Sequence, residues 1–211
     1  MPIATILPII QVNLQISIMV DYAHEPQSMK RLLATARDWK IRQFFDQVIH
    51  IVSCDGVGRD DWKKPIMGNI SYSNADFSVV TTENYDQNDD PIKILNLLCK
   101  DLPVETELKD VQSWGDGVNN NLDYKYIRIT NRHQAMETAL AIAQKLAQKS
   151  FEKTQNTKVD NRTDPDGFKV LIISTGIGSE QLLIQPQGVI THDERKEWVR
   201  VYRRIAQSFG A

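Results

Sequence analysis

Hydrophobic positions along the chain alternate between two rhythms. Short runs rich in β-branched residues are each followed, after a polar loop, by apolar positions three and four apart, the repeats of a strand and of an amphipathic helix. Residues 16–20 (ISIMV) form the first run; it ends in Asp21, and beyond Pro26 stand Met29, Leu32, Leu33, Ala36 and Trp39 at helical spacing. Residues 48–54 (VIHIVSC) predict a second strand, followed by the loop DGVGRDDWKK and a helix beginning at Pro65. Residues 77–81 (FSVVT) predict a third, followed by a polar loop and a helix from Pro91 to about Asp101. Each proline suits a first helical turn, where no amide donor is needed. Three strand, loop and helix units in succession predict an α/β domain with a mostly parallel sheet.

The rhythm fails over residues 102–123, where Pro103, Trp114, Gly115, Gly117 and the asparagines 119–121 predict an irregular surface insertion. Residues 124–129 predict a short strand, and Asn131 stands where it caps a helix over 132–149 with a wide apolar face. Residues 151–167 are polar, contain Asp164-Pro165-Asp166-Gly167, and predict a loop. The last strongly buried strand is predicted at 169–174 (KVLIIS), then a hairpin from 181–185 and 188–190, and a closing helix over 193–208. Neither an internal repeat nor a second core is visible, so a single domain is expected.

Charge narrows the partners. The 211 residues carry 25 Lys and Arg against 27 Asp and Glu, a formal net charge of −2. Such a balance offers no broad attraction to nucleic acid or to an anionic membrane. The apolar stretch 3–10 is broken by Pro8, is too short to span a bilayer, and follows no basic leader, so a cytoplasmic protein is expected. Cys54 and Cys99 lie in apolar patterns and are expected as small core residues, not as a disulfide.

Ligands of open parallel sheets bind beyond the carboxyl ends of the strands, so the loops there are the candidates. Asp21 at a strand end suits two ribose hydroxyls, and His24 can reach a phosphate or a transferring proton; equally, Asp21 caps the following turn and His24 is solvated. Gly56, Gly58, Arg59, Lys63 and Lys64 combine flexible backbone with cations able to hold carboxylate or phosphate oxygens, or form a solvated turn. The acidic, amide-rich loop from Glu83 to Asp90 suits an amine or a cationic side chain, although Asp90 is better explained by the dipole of the helix it precedes. Gly176-Ile177-Gly178 is a poor dinucleotide fingerprint, since Gln181 replaces the third glycine, but Glu180 can pair with a ligand amine. Four histidines without paired spacing predict no metal site, although His192-Asp193 resembles half of one. No nucleophile elbow or activated cysteine is present, so no catalytic nucleophile is expected.

In order and spacing these clusters resemble the C-terminal domain of the Mur ligases, nearest the UDP-N-acetylmuramoyl-tripeptide synthetase branch. VDYAHEPQSMKRLL resembles V-D-Y-A-H-T-P-D-x-L, and GVGRDDWKKPIMGNISYSNADFSVVTTEN resembles G-G-x-R-D-x-x-K-R-P-x-M-G, a helix and D-x-x-x-x-T-x-[DE]-N. NRHQAMETALAIA resembles the D-R-x-x-A-I-x-x-A-I helix, GIGSE resembles G-K-G-H-E, and THDERKEW resembles F-D-D-R-E-V. The resemblance implies a Rossmann-like domain that closes over ATP, with Mg2+ held mainly by a central domain, and that brings in the amino acid to be joined to a UDP-N-acetylmuramoyl dipeptide. It places Asp21 and His24 toward the nucleotide, and Arg59, Asn84, Asp86, Gly176 and Glu180 toward substrate. It also implies a linker remnant over residues 1–15 and a domain over 16–211, with insertions at 102–123 and 151–167.

Three departures shape the expectation. No G-x-x-G-K-[ST] phosphate loop occurs, so the central ATPase domain and the UDP-binding domain are missing from these residues, and the chain alone is expected to be inactive. Ile177 and Ser179 replace the lysine and histidine of G-K-G-H-E. Where diaminopimelate-adding members read D-N-P-R, this chain reads Glu83-Asn84-Tyr85-Asp86, which removes the partner of a distal carboxylate and implies a basic or diamino substrate. The rivals are a stand-alone, non-catalytic binding module and a folylpolyglutamate synthetase-like ligase, whose first loop reads D-G-A-H-N-P in place of Asp21-Tyr22-Ala23-His24-Glu25-Pro26.

Overall fold

The computed structural model describes residues 14–56, 58–111, 124–156 and 167–208. Strand β1 (Leu14–Val20) is followed by helix α1 (Pro26–Ile41), β2 (Gln47–Val52), α2 (Lys63–Asn74), β3 (Phe77–Val80) and α3 (Pro91–Leu98). A 3-10 turn at Val104–Thr106 leads to β4 (Tyr126–Arg128), α4 (Arg132–Asn156), β5 (Phe168–Ser174), β6 (Leu182–Gln185), β7 (Gly188–Thr191) and α5 (Glu194–Ser208). Five strands form one parallel sheet in the order β1-β5-β2-β3-β4, and β6 and β7 make a separate antiparallel hairpin.

Insertion of β5 between β1 and β2 positions the site. Its register runs from Leu14 opposite Phe168 to Val20 opposite Ser174 on one side, and pairs Ile51 with Ser174 on the other. The carboxyl ends of β1, β2 and β5 therefore finish side by side, and their loops share one rim. Being interior, β5 is buried on both faces and reads as a nearly continuous apolar run. Ile49, Ile51, Val170 and Ile172 pack against the alanine-rich face of α4 and against Trp198 and Val201 of α5. On the opposite face Val48, Val52, Leu171 and Ile173 pack with Met29 and Leu33 of α1, Met67 of α2 and Ile94 of α3.

Element boundaries differ from the sequence reading for local reasons. Strand β1 begins at Leu14, so residues 14–15, read as linker, are paired to Phe168 and Lys169. Helix α2 starts at Lys63, two residues before Pro65, because the Lys63 and Lys64 amides close turns onto the Asp60 and Asp61 carbonyls; proline is tolerated anywhere in that first turn. Helix α3 stops at Leu98, where Leu102 N donates to Cys99 O and turns the chain. Helix α4 continues to Asn156, seven residues beyond its predicted end, with Gln148 Nε2 donating to Glu152 Oε1 where the sequence lacks apolar periodicity.

The beginning of the 102–123 insertion is ordered, with Leu102 and Leu108 buried and Glu107 bridged in parallel to Tyr126. Its remainder, 112–123, and residues 157–166 of the predicted loop lie outside the described residues. Asn131 and Asp90 cap α4 and α3 by accepting from Gln134 N and Ile92 N. Cys54 and Cys99 are free, and burial raises both thiols, Cys99 to about 12. Among the described residues no helix is long and apolar enough to cross a membrane.

Candidate functional site

The loop after β1 leans on the loop after β5. Asp21 N donates to Ser174 O at 2.9 Å, and the Asp21 carboxylate accepts from Ala23 N at 2.8 Å, tightening the turn that presents the next residues. Tyr22 OH donates to Glu180 Oε1 at 2.7 Å. The Tyr22 ring meets the His24 ring edge-on, centroids 4.6 Å apart, and His24 Nδ1 lies 2.9 Å from the Tyr22 carbonyl oxygen. Gly178 (φ 57°) fits beneath, since a Cβ there would lie 2.7 Å from Tyr22 Cβ. Asp21, His24 and Glu180, 158 residues from Tyr22, thus occupy one rim.

The loop after β2 corrects the sequence reading of its cations. Lys64 is fully buried; its ammonium donates to Gly56 O (2.9 Å), Arg59 O (2.7 Å) and Asp61 Oδ1 (2.5 Å) and so holds the loop together from inside. Lys63 is also buried and donates to Glu25 at the head of α1 at 2.6 Å. Neither lysine is a free cation for carboxylate or phosphate, and the turn they hold is not simply solvated. Arg59 is exposed, and its backbone is held by Lys64.

The loop after β3 carries the terminal hairpin. Asn84 donates from Nδ2 to Asp55 Oδ1 at 3.2 Å and accepts at Oδ1 from Ile184 N of β6 at 2.9 Å. Tyr85 N donates to Ile184 O at 3.1 Å, and Gln185 Nε2 donates to Glu83 O at 3.0 Å. Both ends of the Asn84 amide are therefore engaged, and they tie the β2, β3 and β6 segments together. Asp86 is exposed and accepts from Asn88 N within its own loop.

Beneath the rim lies a buried polar cluster missing from the sequence reading. Arg132, the first residue of α4, donates to Glu194, Ser53, Ser174 and the Thr175 carbonyl. Glu194 also accepts from His192 at 2.8 Å and from Ser174 at 2.5 Å. Burial alone would raise the Glu194 carboxyl, but Arg132, His192 and Ser174 bring it down to about 2. Glu83 accepts from Ser53 at 2.7 Å, and here burial prevails: despite Arg132 and Ser53 its carboxyl rises to about 7. Gly176 (φ 105°) passes directly over it, and a Cβ there would collide with the Glu83 carboxylate and lie 2.6 Å from Ser53 Oγ. The half of a metal site suggested by His192-Asp193 resolves into His192 bonded to Glu194 and Asp193 accepting from the Arg195 and Lys196 amides.

His50, wholly buried on β2, completes a relay below the cluster. Thr175 OH donates to Ile51 O, so His50 Nε2–H donates to Thr175 Oγ1 (3.0 Å) and Nδ1 accepts from Ser71 OH (2.8 Å). Burial first, and Arg132 second, lower its pKa to about 3, and it stays neutral.

The missed signal was positional: Ser53 directly follows β2, Ser174 ends β5 with Thr175 next to it, and Glu83 stands three residues past β3 behind Thr81 and Thr82, all at the carboxyl ends of buried strands. The described residues contain no group of three His, Cys, Asp or Glu side chains able to hold a metal ion. A cleft of about 410 Å³ lined by Arg37, Lys40, Asp76 and Lys125 lies at the opposite, amino end of the strands, away from the rim.

The chain belongs to the Mur ligase, glutamate ligase domain family, which matches residues 8–147. The UDP-N-acetylmuramoyl-L-alanyl-D-glutamate--2,6-diaminopimelate ligase of Alkaliphilus oremlandii is 31% identical over 144 residues, covering 66% of this chain and 25% of the relative. The ligase of the same name from Synechocystis sp. is 36% identical over 113 residues, covering 54% of this chain and 20% of the relative. A solved structure of a ligase with this name shares the fold, with a TM-score of 0.59 and 18% identity over 91% of this chain and 30% of that one. The chain thus spans about a quarter of the length of the relatives it matches.

Proposed function

We propose that this chain forms the ATP-facing and amino-acid-facing part of a cytoplasmic, ATP-dependent ligase that extends a UDP-N-acetylmuramoyl peptide in peptidoglycan synthesis. The observation that carries the reading is the Tyr22–Glu180 hydrogen bond, which makes the loop after β1 and the loop after β5 two walls of one site. ATP, with Mg2+ held mainly by a central ATPase domain, supplies activation of the peptide carboxylate. The residues here fit its sugar end: the Asp21 carboxylate is fixed at one oxygen by its own turn and keeps an acceptor for a ribose hydroxyl, with the partly exposed His24 imidazole beside it.

Toward the amino acid, Glu180 attracts the amine, Gly176 lets the backbone pass close above the buried cluster, and Asn84 holds the pocket wall. Arg59 meets a carboxylate. Tyr85 and Asp86 in place of an arginine favour a distal ammonium over a distal carboxylate, hence a basic or diamino acid such as L-lysine.

The test replaces the matching segment of the Synechocystis ligase with this chain and assays peptide extension. Turnover by the chimera, with none by the 211-residue chain alone, is expected because these residues contain no phosphate loop. The isolated chain should bind ATP only at about millimolar affinity. Turnover by the isolated chain would overturn this division of labour, and an inert chimera that still binds amino acid would favour a non-catalytic binding module.

A further inference from the structure

We propose that Tyr22 is a positioning residue that couples the two halves of the site, so that a nucleotide engaged at His24 and an amine engaged at Glu180 strengthen each other's binding; this rests on the site reading above. Three contacts of one side chain carry it. The hydroxyl donates to Glu180 Oε1 and leaves Oε2 as the acceptor for an incoming ammonium, which fixes the direction the carboxylate faces. The ring stands edge-on to His24, whose Nδ1 also reaches the Tyr22 carbonyl. The root of the side chain rests against Gly178, whose left-handed conformation and lack of a Cβ permit the approach, and the adjoining Asp21 amide is tied to Ser174.

Tyr22 therefore cannot follow His24 without carrying Glu180 and the β5 loop with it. The residue is about half exposed, so the hydrogen bond to Glu180, and not burial alone, holds the phenol in place. Its hydroxyl is held above the ordinary tyrosine range first by the hydrogen bond to Glu180 and then by that carboxylate's charge, in keeping with its role as the donor. Ligand ordering of the histidine removes freedom from the tyrosine and thus from the carboxylate; a second ligand then meets a prearranged partner, and the effect is reciprocal.

The experiment uses the full chain in NMR titrations of L-lysine with and without saturating ATP, for wild type and Tyr22→Phe, which keeps the ring and removes the hydroxyl. Wild type should bind L-lysine about fivefold or more tightly when ATP is present, and Tyr22→Phe should lose that enhancement. Full enhancement in Tyr22→Phe, or none in a wild type that binds both ligands, overturns the coupling and leaves the site reading intact. A wild type that binds neither ligand overturns the site reading and the ligand coupling with it. A ligand-free measurement tests the link directly: Glu180→Gln should move the His24 Cε1–H resonance in wild type and not in Tyr22→Phe. A His24 resonance that ignores Glu180→Gln, or moves equally in both backgrounds, overturns it.

Discussion

The Arg132 guanidinium and the Glu194 carboxylate, 62 residues apart in sequence, meet in a buried, multiply hydrogen-bonded ion pair that joins the first turns of α4 and α5. All the nitrogens of Arg132 are engaged, and the pair spans the underside of the rim on which the candidate ligand groups stand.

Removing one partner leaves the other charged and buried. Arg132→Met should destabilise the chain by about 3–5 kcal/mol, measured by urea unfolding at pH 7, while Arg132→Met with Glu194→Leu should recover part of the loss. A loss below about 1 kcal/mol in the single variant would mean that His192 and Ser174 suffice for Glu194. Because the Glu194 carboxyl falls to about 2 from 4.5, its contribution is in place above pH 4.5 and drains as pH falls toward 2.

Glu83 has the opposite sign. Its carboxyl rises to about 7 from 4.5, so the folded state binds the proton more tightly, and the associated stability is fully present below pH 4.5 and lost as pH rises through 7. Glu83→Gln keeps an acceptor for Ser53 and cannot ionise. Its stability relative to wild type should climb between pH 4.5 and 7, by roughly 3 kcal/mol, and level off above. A flat difference across that range would show that Glu83 ionises normally.

Gly176→Ala should be severe. The added methyl collides with the Glu83 carboxylate at a φ of 105°, where an L side chain is strained. Strain and overpacking together predict a loss of about 2–4 kcal/mol in thermal or urea unfolding. The collision involves a side chain, so Gly176→Ala combined with Glu83→Ala should regain the steric part and keep the backbone part; equal losses in single and double variants would assign the whole effect to the backbone.

Amino-acid choice tests the loop after β3. In the chimeric ligase L-lysine should outcompete meso-diaminopimelate by about a hundredfold, since an unpaired buried carboxylate costs several kcal/mol. Asp86→Arg should reverse the preference. Equal incorporation, or preference for diaminopimelate in the parent chimera, would assign Asp86 to loop structure alone, where it already accepts from Asn88.

Local pattern determined much of this protein. The apolar runs specified all five sheet strands, Pro26, Pro91 and Asn131 marked helix starts, and the ordered motifs from Asp21 to Trp198 marked the family. These features persist because strand and helix periodicities, caps and turns act over a few residues and leave their mark in the order of side chains. Less visible was the extension of α4 past Lys149, where residues 150–156 (SFEKTQN) contain a single apolar residue and so show no helical period.

Tertiary structure alone decided which polar residues became interior partners. Lys64 and Arg59 are both cations of one loop, yet Lys64 is buried as the clamp of its own backbone and Arg59 is exposed. Glu83 and Asp86 are both acids of one loop, yet Glu83 lies under Gly176 and Asp86 is exposed. Burial depends on what other segments bring overhead: β5 inserted between β1 and β2 places Thr175 and Gly176 beside Ser53 and brings Tyr22 to Glu180. Those contacts join residues up to 158 positions apart, a separation over which a periodic pattern carries no information, and they arise only when the sheet has closed and the desolvation of each polar group is met by a partner.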